Sequence, residues 1–493
     1  MSITDGGVVS NNFSYLGYNT SGSNNSVLVA GTGSIWKNAA DLSIGTNGAG
    51  NSLVVSGVAQ VLDGSGYIGG GVTSSNNSVL VTDAGSLWSS ITNLCIGYSG
   101  AGNSLVISNG GRVLCNSSSY FDVPGACIGF NSSSSNNTVV VTGTGSVWSN
   151  GDYELFPYDG SFLYVGYSGA GNSLVIKDGG QVVDFDGGLG HNPSSSNNSA
   201  LVTGAGSVWN NYDMGLNNWG NSLVISNYGL VKTFTGGNEG TNNSIRVVDN
   251  GIWLGSMLSI GVTGSSNSLV IAGGAVFATN FAVGFLPELE WLPPAACDNF
   301  VQLDSGSLIV TNATHDATLQ VRHGKLILNG GVLQVDRLVM TNGCGLFVRN
   351  GGTLIVGTLM LDPNLSAIGD GIPNGWKQQY GIDPLDPTMT RADPDGDGFS
   401  NLQEYLAGTD PTNSASNLRI TSIAPQGNSL LVTWTMGSGK TNALQAVGGT
   451  GYGSNGFSDI FVVTNTAGTI TNYLDVGATT NVPARYYRVR LVP

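Results

Sequence analysis

Four carboxylates stand at fixed intervals in the stretch DPDGDGFSNLQE, from Asp393 to Glu404. With Asp393 as position 1, Asp395 falls at 3, Asp397 at 5, Gly398 at 6, Asn401 at 9 and Glu404 at 12. Oxygens spaced in this way wrap one hard cation, the glycine permits the sharp bend, and the Phe399 carbonyl supplies position 7. The expected chemistry is Ca2+ coordination by Asp393, Asp395, Asp397, Phe399, Asn401 and Glu404. A short helix, NLQEYLAG, should follow and end at Gly408. The plainer alternative is an acidic linker, since residues 362–410 hold nine acids and two bases.

An earlier copy, DGIPNGWKQQYGIDP from Asp370, aligns with DGFSNLQEYLAGTDP from Asp397. There Ser366 and Ile368 replace the first two carboxylates and Lys377 replaces the glutamate. That copy is expected to bind a cation weakly or not at all. The pair resembles thrombospondin type 3 and dockerin-like calcium repeats of secreted bacterial proteins. The resemblance covers about 50 residues and implies calcium used for rigidity.

Other reactive residues are scattered. Polysaccharide lyases and hydrolases need paired carboxylates, or calcium with a base, on one face. Asp184 and Asp186 are two apart in VVDFDGG and read as a solvated turn. Asp152 and Glu154 lie on an insertion without a basic partner, and His191, His315 and His323 are isolated in sequence. The expectation is therefore not an enzyme. Cys95 and Cys127 hold the same place in successive copies of one phrase (LCIG, ACIG), so a disulfide between them, or from Cys115 to either, is open beside the alternative of buried thiols. A bridge would imply an oxidising compartment.

The elements that must carry these residues are written in a repeat. NSLVISNGGRV at Asn103 has close copies at Asn51, Asn172 and Asn221, and it alternates with phrases such as NNSVLVTDAGSLW from Asn76. Marker asparagines fall at Asn25, Asn51, Asn77, Asn103, Asn137, Asn172, Asn198, Asn221, Asn243 and Asn267. A repeat of this length is the signature of a solenoid. Each unit holds three short apolar runs separated by Gly, Asn and Ser corners. The fold class is all-β: a parallel β-helix of the right-handed type, three strands per coil, then a small calcium-binding loop-and-helix segment and a C-terminal β-sandwich. One coil cannot bury its inward face alone; stacked coils bury each other's. Alternation places Asn103, Leu105 and Ile107 inward and Ser104 and Val106 outward. The marker asparagines should then form an inside-corner ladder; a turn cap without a ladder is the alternative. NNS also matches a glycosylation acceptor, which the ladder makes unnecessary.

Trp36, Trp88, Trp148 and Trp209 lie eleven positions after their markers. Outward, they would form an aromatic stripe for sugars or a neighbouring copy; inward, they would fill a corner of the core. Insertions confined to one corner carry Tyr120, Phe121, Tyr153, Phe156 and Tyr158, an aromatic candidate surface. The domain boundaries expected are a solenoid over 1–361 (wide coils 1–284, an interruption 285–300, narrower coils 301–361), the acidic segment 362–416, and a sandwich over 417–493 with Trp434 in its core. The last part resembles fibronectin type III-like and immunoglobulin-like domains of bacterial surface proteins. The repeats resemble those of autotransporter-type adhesin passengers, although no membrane barrel follows.

Composition narrows the function. Of 493 residues 10% are charged, and the net charge is −15. Nucleic acid is excluded as a partner for want of clustered bases, and no apolar run is long enough to span a bilayer. The chain opens MSITDGGVV without a leader pattern, and its first coil lacks the Asn-Ser-Leu start, so trimmed sequence or a covering subunit is expected there. The leading expectation is an extracellular or cell-surface structural protein that assembles with copies of itself. The alternative is an adhesin for glycans or another surface.

Overall fold

The computed structural model describes residues 1–115, 125–151, 161–284, 297–341, 344–449, 456–464, 469–480 and 484–492. The chain divides into two compact units, Met1–Met360 and Leu361–Pro493.

The first unit is a parallel β-helix whose strands join one 38-stranded sheet. Each wide coil contributes a first strand (Ser104–Ser108), a second (Arg112–Cys115) and a third (Ala126–Ile128). Every strand pairs in parallel with its counterparts one coil before and one coil after. Register is one to one: Leu105 faces Val79 and Val139, and Ile107 faces Val81 and Val141. Asn103, Leu105 and Ile107 are fully buried, while Ser104 and Val106 lie on the outer face, as the alternation requires. From Ser268–Ala278 on, strands merge: the first and second in Ser268–Ala278 and Phe300–Val310, and the second and third in Val332–Met340.

The marker asparagines form a continuous ladder. From Asn25 to Asn267, each backbone N–H donates to the side-chain Oδ1 of the next marker, at 2.7–3.0 Å. The last acceptor is Asn299, which follows the interruption and extends the ladder by a coil. The corner just before each marker explains why the repeat alternates. Asn76 and Gly102 occupy that place with φ of 55° and 70°. The Asn76 amide lies over Gly102, where a Cβ would meet its Oδ1 at 2.7 Å. Asn and Gly take turns there through Asn242, so the unit of repetition is two coils; beyond it Ser266 and Asp298 follow, with the Ser266 hydroxyl donating to Asp298 Oδ2 at 2.6 Å.

The second unit begins with two short helices, α1 (Asn374–Gln379) and α2 (Asn401–Ala407). Two three-stranded antiparallel sheets follow: Ile420–Gln426, Ser429–Thr435 and Ile470–Asp475, then Ser458–Thr464, Thr441–Gly448 and Arg485–Val492. Val432, Trp434, Met436 and Leu444 form their buried cluster. No helix among the described residues is long and apolar enough to cross a membrane.

Candidate metal centre and surface sites

The two acidic copies fold alike, 27 residues apart. Asn374 donates its amide to the Asp362 carbonyl at 2.9 Å and its backbone N–H to the Leu365 carbonyl. Asn401 does the same to Met389 and Ala392, the amide bond being 2.6 Å. The copies differ in charge at their centres. In the first, Lys377 is fully buried on α1 with its ammonium 2.7 Å from Asp370 Oδ2, a charge contact rather than an aligned hydrogen bond. Thr390 donates to the same oxygen and Ser366 to the other. Burial works against the Asp370 charge, but Lys377, Thr390 and Ser366 outweigh it and hold the carboxyl below its ordinary value.

In the second copy, Glu404 takes the place of Lys377 on α2. A Ser400–Gln403 capping box starts this helix and Gly408, left-handed at φ 70°, ends it. Asp393, Asp395 and Asp397 each offer an oxygen within 4.8 Å of the others. Asp393 accepts from the N–H groups of Gly396 and Gly398, both 2.9 Å, and Asp397 accepts from Phe399 at 2.9 Å and from Asn417 at 3.0 Å. Asp395 Oδ2 and Glu404 Oε2 are buried without a hydrogen-bond partner. Burial, then the charges of Asp395 and Asp397, push Glu404 up to about 7. Orphaned buried oxygens are costly, and like charges this close call for a cation. The donor set is all oxygen, which fits a hard divalent ion. Asn401 has another duty. Its counterpart Asn374 accepts from the Ala367 N–H, but Pro394 stands where Ala367 would be and has no N–H, leaving Asn401 Oδ1 unpaired. The pattern shared with Asn374 makes Asn401 a brace of the loop.

The tryptophan column faces the core, which overturns it as a candidate surface. Trp36 is 3% exposed, and Trp88, Trp148 and Trp209 are fully buried. Register alternates them with valines: Trp36, Val61, Trp88, Val113, Trp148, Val182, Trp209 and Val231 follow one another. A large ring above a small side chain fills the corner without a void. Trp253 continues the column; it stands ten positions after its marker, in a coil one residue shorter, so a fixed count misses it. Tyr120, Phe121, Tyr153, Phe156 and Tyr158 lie outside the described residues.

Cys95 and Cys127 are register partners with sulfurs 2.8 Å apart, yet they are free thiols. Burial, then the neighbouring Cys95, pushes the Cys127 thiol up, so it stays protonated and unreactive. Cys115 is a buried thiol too, donating to the Gly125 carbonyl at 2.9 Å. The disulfide joins Cys297 and Cys344 instead. Cys297 sits at the end of the interruption, where no repeat register points to a partner.

Asp184 and Asp186 are no solvated turn. Asp184 is 2% exposed and accepts from Trp209 Nε1 at 3.0 Å; Asp63 accepts from Trp88 Nε1 at 2.6 Å two repeats earlier. Burial pushes Asp63 up to about 7, against hydrogen bonds from Ser90 and Trp88, and raises Asp184 as well. An unfolded aspartate titrates near 3.9. Between about pH 4 and 7 the unfolded chain therefore releases protons that the coils retain, and stability falls as pH rises through that window. The Asp63 shift corresponds to about 4 kcal/mol. The solenoid is expected to melt at a higher temperature at pH 4.5 than at pH 7.5, and Asp63→Asn is expected to flatten that slope. A profile that rises with pH in both proteins contradicts the assignment.

Asp186 lies on the outer face of a third strand, in register with Asp213 on the next coil. Burial, then Asp213 and Glu239, lift Asp186 to about 7, and burial with Asp213 raises Glu239. Asp213 and Glu239 line one cavity of about 460 Å³. The solenoid thus belongs to the parallel β-helices, and the second unit offers an oxygen-lined centre beside antiparallel sheets. Comparison of the chain with family models, curated proteins and solved structures returns no match.

Proposed function

We propose that the protein is a structural component of an extracellular surface, and that copies associate through the outer face of the first strands. The observation that carries this reading is that face. From Ser26–Ala30 to Ser222–Ser226 its outward residues are a central row (Leu28, Val54, Leu80, Val106, Val140, Val175, Leu201, Val224) flanked by Ser, Thr and Ala, with Lys177 as the one charge. Eight strands at about 4.8 Å and five residues at about 3.3 Å span roughly 650 Å² per partner, or about 1,300 Å² in total, within the range of a stable interface. Ca2+ bound by Asp393, Asp395, Asp397, Glu404, the Phe399 carbonyl and Asn401, whose Oδ1 is buried without a partner, would rigidify the second unit. Such loops serve at the calcium levels found outside cells, and the Cys297–Cys344 bridge suits the same compartment.

The self-association arm is tested on the full chain by sedimentation velocity and electron microscopy. The wild type should form oligomers or polymers at micromolar concentration. Val106→Lys with Val140→Lys, both outward, should leave monomers with an unchanged melting temperature. Wild-type protein that stays monomeric, or double-variant protein that assembles equally well, refutes the interface.

The second reading, an adhesin for glycans, loses the tryptophan column. What favours it is the outer face of the third strands, where Asp213 and Glu239 share a cavity.

A further inference from the structure

The outward column of the third strands changes character along the solenoid. It runs Tyr67, Cys95, Cys127 and Tyr164, then Gly188, Gly215, Gly237, Ser259 and Ala282, and reaches Gln320. Five small residues in succession leave a floor about 24 Å long at one coil per 4.8 Å. A backbone clash accounts for one of them. At Gly237 a Cβ would stand 2.0 Å from the Ser259 carbonyl, so nothing larger fits. Gly188 and Gly215 are different. At Gly188 a Cβ would meet the Tyr164 ring at 3.2 Å and no backbone closer than 3.4 Å, and at Gly215 only the Asn217 side chain comes near, at 3.0 Å. Both adopt a φ outside the left-handed region. Gly188 makes room for the Tyr164 ring, whereas at Gly215 smallness keeps the floor open rather than relieving a backbone clash.

The walls are polar. One side is the register row Asp186, Asp213, Thr235, Met257, Asn280 and Thr318. Glu239 and Val262 line the cavity as well, and the core side chains Met214, Leu258 and Phe281 back it from inside. Thr235 Oγ1 is buried there without a hydrogen-bond partner. Asp186 and Asp213 are direct neighbours of like charge, an arrangement that costs stability and that the sheet does not need. A second cavity, about 650 Å³, adjoins through Glu239 and carries His191 and Trp219, whose ring is half exposed.

We propose that this face is a binding cleft for an uncharged oligosaccharide, which lies along the coil axis over the small-residue floor, bonds its hydroxyls to Asp213 and Glu239, and rests one sugar on Trp219. Carboxylate oxygens accept from sugar hydroxyls, and the acidic wall of Asp213 and Glu239 would repel an anionic chain. The inference rests on the glycan reading and not on self-association. The two fail separately, because the lysine variants of the first-strand face leave the cleft intact.

The test uses the full chain and a panel of linear hexasaccharides (cellohexaose, xylohexaose, mannohexaose and chitohexaose), with spermine as a cationic control. Calorimetry at pH 7 should show at least one saccharide binding to the wild type. The near-isosteric double variant Asp213→Asn, Glu239→Gln and the variant Trp219→Ala should each weaken it at least tenfold, and Gly215→Leu, which fills the floor, should abolish it. All should melt within a few degrees of the wild type; if Gly215→Leu does not fold, the isosteric pair decides. Absence of binding by every saccharide, binding that the variants leave unchanged, or binding of spermine alone overturns the proposal.

Discussion

Stripping divalent cations with a chelator is expected to lower the melting temperature of the Leu361–Pro493 unit by about 12–20 °C, and added Ca2+ should restore it. The size follows from linkage. A ligand present at a thousand times its dissociation constant stabilises by about 4 kcal/mol, and each kcal/mol moves the midpoint of a domain this size by roughly 3–5 °C. The sign follows from the chemistry on the page. Asp393, Asp395 and Asp397 converge, Glu404 is buried beside them, and two of their oxygens have no hydrogen-bond partner. The first copy supplies the control. There Lys377 provides the positive charge from within the chain. Glu404→Lys should import that solution and give a unit whose melting no longer responds to the chelator, whereas Glu404→Gln should bind Ca2+ weakly and melt low under both conditions. An unchanged wild-type melt on chelation would remove calcium from the proposal.

Asn137→Leu is expected to cost about 4 kcal/mol of solenoid stability. Leucine keeps the branching and the number of heavy atoms, so the main loss is one of hydrogen bonds. Asn137 Oδ1 accepts from both the backbone and the side chain of Asn103, at 2.8 and 3.1 Å, and its amide donates to Ser134 and to Asn172 Oδ1, both at 3.0 Å. Removing it strands two buried donors on Asn103, each at about 1–3 kcal/mol. Thr138→Ala, one residue on and facing outward, should stay within about 0.5 kcal/mol. Urea unfolding reports the difference, and hydrogen exchange at the Asn103 amide reports its place. A cost below 1 kcal/mol would mean that apolar stacking alone holds the corner.

The repeat made the solenoid legible because each coil repeats the same burial problem, and the marker asparagines were legible because each ladder position is occupied alike. The facing of the tryptophans was not, since counting by twos fails across the turn between the first and second strands. Register with Val61 and Val113 decides it. Asn299 escaped because Phe300, not serine, follows it. Cys297 and Cys344 carry no repeat register and gave no hint of pairing. The carboxylate spacing from Asp393 to Glu404 was plain in the sequence, but the bracing duty of Asn401 needed the comparison with Asn374. The cleft was hidden most deeply. Gly188, Gly215 and Gly237 sit in stretches that resemble turns, and Asp213 and Glu239 are brought together only by coil-on-coil stacking.

The Trp–Val and Asn–Gly alternations set a parity on the length of the solenoid. Excising one valine coil would set tryptophan against tryptophan and Asn corner against Asn corner, and excising one tryptophan coil would leave valine on valine, while excising two adjacent coils would join surfaces that already match. In the regular stretch from Asn25 to Asn103, where markers are 26 residues apart, in-frame loss or duplication of 52 residues should therefore pass unnoticed by the rest of the molecule, and half that length should not. Growth of such a chain proceeds by doublets.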